Sequence, residues 1–230
     1  MKKILIISVT FIFTFVCCFS VNTLLKETTS VNSIARNSRN LVIDAGHGGI
    51  DAGTIGTDNN NEKDINLSIA LKLYDFAMVS GISSFLVRDG DYLVYSENDD
   101  KTRSDLYNRM DYINTIDNAT LISIHQNHFD NEKEWGMQIW YAPNSESSKK
   151  LADSILKISK ENTQPENTRQ NKESDSSYYL LHKAKVPSVM VECGFMSNAE
   201  ENKKLQDDNY QKRLAYSIML GFSDYLTNEE

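Results

Sequence analysis

Short apolar runs alternate with longer amphipathic segments along most of the chain. Four runs are dominated by apolar residues, which is typical of strands buried on both faces of a sheet. They are Leu41–Asp44, Ser83–Arg88, Thr120–His125 and Val186–Cys193. A fifth run, Met137–Ala142, alternates in character, so we expect it to form a strand nearer to the edge of the sheet.

Between these runs, apolar residues recur at the three- and four-residue spacing of a helix. The spacing predicts helices over Glu62–Val79, Lys101–Ile116, Ser145–Lys160 and Leu205–Leu226. Strands that alternate with helices predict an α/β fold: a single domain with a mostly parallel sheet and helices on both faces. The segment Glu161–Ser177 is polar and aperiodic, and we interpret it as a mobile surface loop.

The N-terminus has a different character from the rest of the chain. Residues 4–21 are apolar and uncharged and follow two lysines, a pattern typical of an export signal or a single membrane anchor. No clear cleavage site follows, which favours an anchor over residues 1–23, with everything after it exported. Residues 24–39 are polar and indicate a linker, and residues 40–230 are long enough for one globular domain.

Charge and cysteine content narrow the classes of function. The formal net charge is −8, and an acidic surface argues against nucleic-acid binding, which needs cationic contacts. Cys17 and Cys18 fall in the apolar N-terminal segment, which leaves Cys193 alone in the domain. An internal disulfide is therefore not expected, and the stability of the domain must come from packing.

Four ionisable residues fall where an α/β sheet places its sites, beyond the carboxyl ends of the strands. His47 follows the first strand in a glycine-rich stretch, His125 closes the third run, and Glu192 ends the last; Glu62 opens the first helix. Two imidazoles and one carboxylate are a normal ligand set for catalytic zinc. A second carboxylate in apolar surroundings, such as Glu192, suits proton transfer because burial raises its pKa.

Each residue also has a structural interpretation. A loop histidine is often structural, and a glutamate at a helix start often serves as a cap. Glu192 could pair with Arg88 or Arg109. The common location of all four favours the interpretation as a site.

The remaining candidates are placed outside the ligand set. His128 is expected to lie behind the ligands or to face substrate, and His182 to pack or to line the rim. Cys193 follows Glu192 on the same strand, so its side chain should point to the opposite face and be buried and inert.

Four segments carry a resemblance to a known family. "DAGHGGIDAG", "NEKDINL", "SIHQN" and "VPSVMVECGFMSNAEE" resemble, in this order, the signature blocks of zinc-dependent N-acetylmuramoyl-L-alanine amidases, the Amidase_3 family. The resemblance implies a sheet of about six strands, Zn²⁺ held by His47, Glu62 and His125, and Glu192 as the catalytic acid/base. It further implies substrate-binding roles for the residues at the family's asparagine and arginine positions, which are Asn127, Arg88 and Arg109.

The resemblance also implies a substrate, the amide between the lactyl group of N-acetylmuramic acid and L-alanine of peptidoglycan stem peptides. A short chain without wall-binding repeats most resembles the sporulation members of the family, which prepare spore-cortex glycan strands for muramic-δ-lactam formation. Gln126 and His128 depart from the small residues usual there. Control of the site is expected to come from an activating partner protein. A zinc peptidoglycan carboxypeptidase and an inactive glycan- or partner-binding module stay open as alternatives.

Overall fold

The computed structural model describes residues 39–95 and 101–228. The anchor predicted over residues 1–23 and all but the end of the linker lie outside these ranges. Within the described ranges, no helix combines the length and the hydrophobicity needed to cross a membrane.

In the part of the chain that the structure describes, six strands form one sheet in the order β2-β1-β3-β6-β4-β5. Their bounds are β1 Asn40–Ala45, β2 Ser84–Leu86, β3 Ala119–Asn127, β4 Gln138–Tyr141, β5 Lys172–Glu173 and β6 Ser188–Phe195. Strands β2, β1, β3 and β6 are parallel, whereas β4 runs antiparallel to β6 and β5 runs parallel to β4. The alternating strand β4 lies next to the edge, as its pattern predicts.

Between residues 62 and 228, the described ranges contain six helices that cover the sheet: α1 Glu62–Val79, α2 Lys101–Asn114, α3 Glu146–Asn162, α4 Tyr179–Lys183, α5 Ala199–Leu205 and α6 Asp208–Asn228. The larger core cluster lies between one face of the sheet and α1, α3 and α6. A smaller cluster lies on the other face against α2 and α4. The predicted fold, a single α/β domain with helices on both faces of a mostly parallel sheet, is confirmed.

The predicted helix Leu205–Leu226 corresponds to α6 but begins three residues later, because Leu205 closes a separate helix. Helix α5 ends at Leu205 and α6 begins at Asp208. The Asp207 carboxylate accepts a hydrogen bond of 2.8 Å from the Tyr210 backbone N–H. An aspartate that caps a new helix in this way separates it from the preceding one.

The segment Glu161–Ser177 is not the expected mobile loop. It completes α3, supplies β5, and buries the polar side chains of Gln164, Asn167 and Ser174. The Gln164 amide donates to the Cys193 carbonyl at 3.1 Å, and the Asn167 amide donates to the Met137 carbonyl at 2.9 Å. Polar residues are needed here because they satisfy backbone groups that the irregular chain leaves unpaired.

Candidate metal and catalytic site

The glycine-rich stretch after β1 is a tight bend with a left-handed backbone. His47 itself has a φ of 62°, and Gly49 and Gly53 have φ values of 54° and 66°. Backbone hydrogen bonds in both directions between Gly48 and Asp51, of 3.0 and 2.9 Å, close the bend. This conformation is sparsely populated for side chains other than glycine, so the residues around His47 must hold it in place.

The bend orients the His47 ring. Its Nδ1 lies 2.8 Å from Oδ2 of Asp51, and its Nε2 lies 3.3 Å from Oε2 of Glu62. On β3, His125 places Nδ1 3.0 Å from Oε1 of the same glutamate. One candidate ligand atom from each of His47, Glu62 and His125 lies within 4.8 Å of the others. The structure therefore brings together the three predicted ligands.

Glu62 is the most firmly held of the three. It is 3% exposed, and its carboxylate accepts hydrogen bonds from the Thr54 N–H at 2.9 Å, the Gln126 N–H at 3.0 Å and the Asn66 amide at 3.1 Å. Burial raises the pKa of Glu62, but its hydrogen bonds with the two histidines outweigh burial and hold the pKa well below its usual range. The carboxylate is thus an ionised, preorganised acceptor.

Two glycines make room for these side chains. A Cβ at position 46 would lie 2.1 Å from Nε2 and Cε1 of His125, and a Cβ at position 53 would lie 2.6 Å from Oε2 of Glu62. Real Cβ contacts are essentially never below 3.0 Å. Only glycine therefore fits at positions 46 and 53, and we call the space that Gly46 and Gly53 leave for these side chains the cradle.

The donor set fits a zinc ion. Two imidazole nitrogens and one carboxylate are a usual three-residue set for catalytic zinc, and Asp51 supplies the kind of carboxylate partner that commonly orients a ligating histidine. Burial lowers the pKa of His47, but its hydrogen bonds with Asp51 and Glu62 reverse this effect and raise the pKa to about 10. Of the two carboxylates that raise this pKa, that of Glu62 is the one that would face a bound cation.

Glu192 lies beside this cluster. It pairs in register with His125 on the neighbouring strand, so the two side chains point to the same face of the sheet. It is 9% exposed, and its Oε2 has no hydrogen-bond partner in the described part of the chain. Burial raises the pKa of Glu192 to about 7, although nearby His125 opposes the shift.

The next residue, Cys193, packs in the larger core cluster on the opposite face, as alternation along a strand predicts. Burial raises the pKa of its thiol far above its usual range, so the thiol is unreactive.

Arg88 and Arg109 support the glycine-rich bend. Both are 1% exposed. Arg88 donates to the backbone carbonyls of Ala45 and Gly46 at 2.8 and 3.0 Å. Arg109 donates to the His47 carbonyl at 2.6 Å and to the Asp44 carboxylate at 2.6 Å. Arg109 also lines the cavity that holds His47 and His125, and the substrate-binding role of both arginines stays a prediction. Among the described residues, neither arginine pairs with the unpartnered Oε2 of Glu192.

The other predicted residues lie around the site. Asn127, at the end of β3, is half-buried, and its substrate-binding role stays a prediction. His128 is exposed beside Ile55 and Phe129 in a separate cavity of about 290 Å³, outside the ligand cluster. His182 is exposed on α4.

Sequence reasoning missed three supporting residues: Asp51, Asn66 and Asp44. Asp51 lies four residues after His47 in the same bend, so its spacing could have indicated a partner. Asp44 alternates with the apolar residues of β1, and it is fully buried between Arg109 and the Ser123 hydroxyl, which donates to it at 2.6 Å. No local sequence pattern predicts the contacts of Asp44 with Arg109 and Ser123.

Residues 41–224 match the family described as N-acetylmuramoyl-L-alanine amidase. The germination-specific N-acetylmuramoyl-L-alanine amidase of Bacillus subtilis (strain 168) is 29% identical over 201 residues, covering 86% of this chain and 84% of that protein.

Two solved structures are similar to the fold described above. The CwlD amidase from Clostridioides difficile, solved in complex with the GerS lipoprotein, has a TM-score of 0.79 and 38% identity, covering 83% of this chain and 100% of that chain. The amidase AmiC2 of Nostoc punctiforme has a TM-score of 0.72 and 28% identity, covering 82% and 97%. Since the family match spans most of the chain and the fold agrees with those of solved amidases, the chain belongs to the N-acetylmuramoyl-L-alanine amidase family.

Proposed function

We propose that this chain is a zinc-dependent amidase that hydrolyses the bond between the lactyl group of N-acetylmuramic acid and L-alanine of the stem peptide. The observation that carries the proposal is the convergence of His47, Glu62 and His125 beside Glu192, a buried carboxylate whose Oε2 has no hydrogen-bond partner among the described residues. A binding module would have no need to keep such a carboxylate next to a ligand set for a cation.

The chemistry divides between the cation and the chain. Zinc, when bound by His47, Glu62 and His125, supplies a Lewis acid that lowers the pKa of water from about 16 to about 7 and polarises a carbonyl. Glu192 accepts the proton of the attacking water at its unpaired Oε2 and returns it to the departing alanine nitrogen. Water is consumed, the carbonyl carbon gains the hydroxyl, and a lactyl carboxyl and a free amine are left. A pKa of about 7 lets one carboxyl group both accept and donate at neutral pH.

The surrounding residues keep this arrangement rigid. Asp51 fixes the ring of His47 through Nδ1, so that Nε2 faces the cation site. Arg109 binds the His47 carbonyl from below the bend, and the cradle glycines leave the rings their space. A preorganised site of this kind loses little energy to rearrangement during the reaction.

The proposal is tested with purified full-length protein on peptidoglycan sacculi. Glu192→Gln should keep about one zinc per chain by elemental analysis and lose cleavage by about 100-fold or more. His47→Ala and His125→Ala should instead lose the metal. Glu200→Gln changes an exposed glutamate outside the ligand cluster and serves as the matched control for Glu192→Gln.

The products separate the alternatives. An amidase leaves lactyl groups free of peptide and releases stem peptides that begin with L-alanine, both visible by mass spectrometry. Shortened peptides that are still attached to muramic acid would establish a carboxypeptidase instead. Glycan binding without zinc or products would establish an inactive module.

The biological setting proposed is the spore cortex, outside the cytoplasmic membrane and with a partner protein. The similar B. subtilis protein is named as germination-specific, and the similar C. difficile amidase was solved with a lipoprotein. Deletion of the gene in the source organism should abolish muramic-δ-lactam in cortex digests, and the Glu192→Gln allele should fail to restore it. Normal lactam in the deletion strain would rule out this role. Membrane fractionation with and without residues 1–23 tests the anchor.

A further inference from the structure

A row of side chains extends from Glu192 across the sheet towards its edge. The sheet order places β6 beside β3, with β4 and β5 beyond it. Trp140 of β4 is in register with Met190, which lies two residues before Glu192 and therefore on the same face. Lys172 of β5 is in register with Trp140. The row thus shares the face of the sheet on which His125 and Glu192 lie.

Tyr178, the residue before α4, connects this row to the cation site. Its ring stacks on that of Trp140, with a centroid distance of 4.8 Å and an interplanar angle of 30°. It lines the same cavity of about 220 Å³ as His47 and His125. The Lys172 ammonium lies 5.2 Å from the centre of the Trp140 ring.

The polar ends of these three side chains lack protein partners. Throughout residues 39–95 and 101–228, no hydrogen-bond acceptor or carboxylate contacts the Tyr178 hydroxyl, the Trp140 indole N–H or the Lys172 ammonium. Lys172 is exposed at the outer end of the row, in a protein whose net charge is −8. Of the three residues, Tyr178 lines the cavity that holds His47 and His125, and Trp140 and Lys172 continue from it along the row. Donors without protein partners beside a catalytic group are suited to bind a ligand.

We propose that Tyr178, Trp140 and Lys172 form the subsite for the stem peptide. The inference rests on the proposed function, in which Glu192 returns a proton to the alanine nitrogen. That nitrogen must lie beside Glu192, so the peptide leaves the cation site over β4 and β5. The Tyr178 hydroxyl donates to the peptide, and Lys172 pairs with the α-carboxylate that a γ-linked D-glutamate leaves free at the second position of the stem.

The dimensions agree with this path. Two strand spacings of about 4.8 Å and an offset of two residues, about 7 Å along the strand, separate the backbone of Glu192 from that of Lys172, about 12 Å in all. A dipeptide spans about 7 Å from its nitrogen to its carboxylate, an ion pair adds about 3 Å, and the long lysine side chain covers the rest. Trp140 holds both neighbours in place, Tyr178 by stacking and Lys172 by a cation–π contact. Burial and the charge of Glu192 raise the pKa of Tyr178 to about 12, so its hydroxyl stays a donor at neutral pH.

Two soluble substrates test the role of the charge. They are N-acetylmuramoyl-L-alanyl-γ-D-glutamyl-L-lysine and the same compound with D-isoglutamine, whose α-carboxylate is an amide. Lys172→Gln should raise KM for the acid about threefold and leave KM for the amide and both kcat values unchanged. Tyr178→Phe should raise KM for both compounds about fivefold with kcat unchanged.

Matched controls lie on the other face of the sheet. Lys150 is an exposed lysine on α3, and Tyr141 neighbours Trp140 but packs against the larger core cluster. Lys150→Gln and Tyr141→Phe should leave both KM values unchanged. If Lys172→Gln and Tyr178→Phe behave like these controls, the subsite assignment is overturned.

A binding measurement separates the subsite from the activity. The chain has two tryptophans, so Trp135→Phe leaves Trp140 as the only indole fluorophore. Titrating this zinc-loaded variant with L-alanyl-γ-D-glutamyl-L-lysine should change its fluorescence, and adding Lys172→Gln should weaken binding about threefold. Peptide binding that depends on Lys172, with no cleavage of either substrate, would uphold the subsite and reject the proposed function. If the substrates are cleaved and neither substitution changes KM or Kd, the proposed function is upheld and the subsite assignment is rejected.

Discussion

The cradle around His125 allows a test of the metal site that does not alter any ligand. In Gly46→Ala, the new Cβ would lie 2.1 Å from Nε2 of His125, where ordinary contact begins at 3.4 Å, so the ring must move by about 1.3 Å. Ligand atoms in metal sites are held to about 0.2 Å. We therefore expect Gly46→Ala to lose zinc even though both histidines and Glu62 are present.

The cost in stability can be assigned to this one contact. Forcing a methyl group into a packed position costs about 1–3 kcal/mol. In a His125→Ala background the ring is gone, so the same Gly46→Ala change should be neutral, or stabilising by about 0.4–1 kcal/mol through the unfolded chain. The free energies of unfolding in urea of the wild type, the two single variants and the double variant form a double-mutant cycle. With a chelator present, so that metal binding does not contribute, the coupling free energy between Gly46→Ala and His125→Ala should be about 1–3 kcal/mol.

A second glycine provides the control. Gly81 has a φ of 75°, but a Cβ at this position would have no atom within 4 Å, so Gly81→Ala introduces backbone strain of about 1–2 kcal/mol without a clash. It should keep zinc and show no coupling to His125. Equal destabilisation by Gly46→Ala in both backgrounds, or a full complement of zinc in that variant, would refute the steric reasoning.

Three further predictions concern supporting residues. Asp51→Ala should weaken the affinity for zinc about 10–100-fold in a chelator competition titration, because His47 loses the carboxylate that orients its ring. Asp44→Ala should lower the free energy of unfolding in urea by about 3–5 kcal/mol, because it removes a buried partner of Arg109. Glu201, on α5, is buried and accepts hydrogen bonds from the Gly136 and Phe195 backbone N–H groups. Burial raises its pKa from 4.5 to about 7, so its contribution to the free energy of unfolding is complete below pH 4.5 and is lost as the pH rises through 7. The stability of the wild type relative to Glu201→Gln should therefore fall by about 3 kcal/mol over that range; a flat difference would contradict the shift.

Local patterns predicted the parts of the fold that depend on local rules. Helix α1 has the bounds that its apolar spacing predicts, Glu62–Val79, and five of the six strands overlap the apolar runs. The placement of His47, His125 and Glu192 followed from the geometry of parallel sheets, whose strand ends share one edge. Alternation along β6 was enough to separate Glu192 from Cys193.

Long-range contacts decided what local patterns could not predict. Strand β5 has two residues and no apolar pattern, and it forms because the polar segment before it packs against β4. Arg88 and Arg109 were expected to bind substrate or to pair with Glu192, but they bind backbone carbonyls that are 40 or more residues away in sequence. Such residues are recognised only once the chain is folded, because their partners are remote in sequence.

Glu62 joins three parts of the chain through one carboxylate: the bend that precedes it, the helix that it opens, and β3, 63 residues further on. A cation bound by this carboxylate and the two imidazoles would act as a crosslink that closes a long loop of the chain. Release of the cation would restore the conformational entropy that the closed loop had lost. Removal of the ion should therefore loosen the first turn of α1 and the adjoining bend before the rest of the domain. Amide hydrogen exchange would register metal loading at Thr54 and Gln126, whose N–H groups bind Glu62.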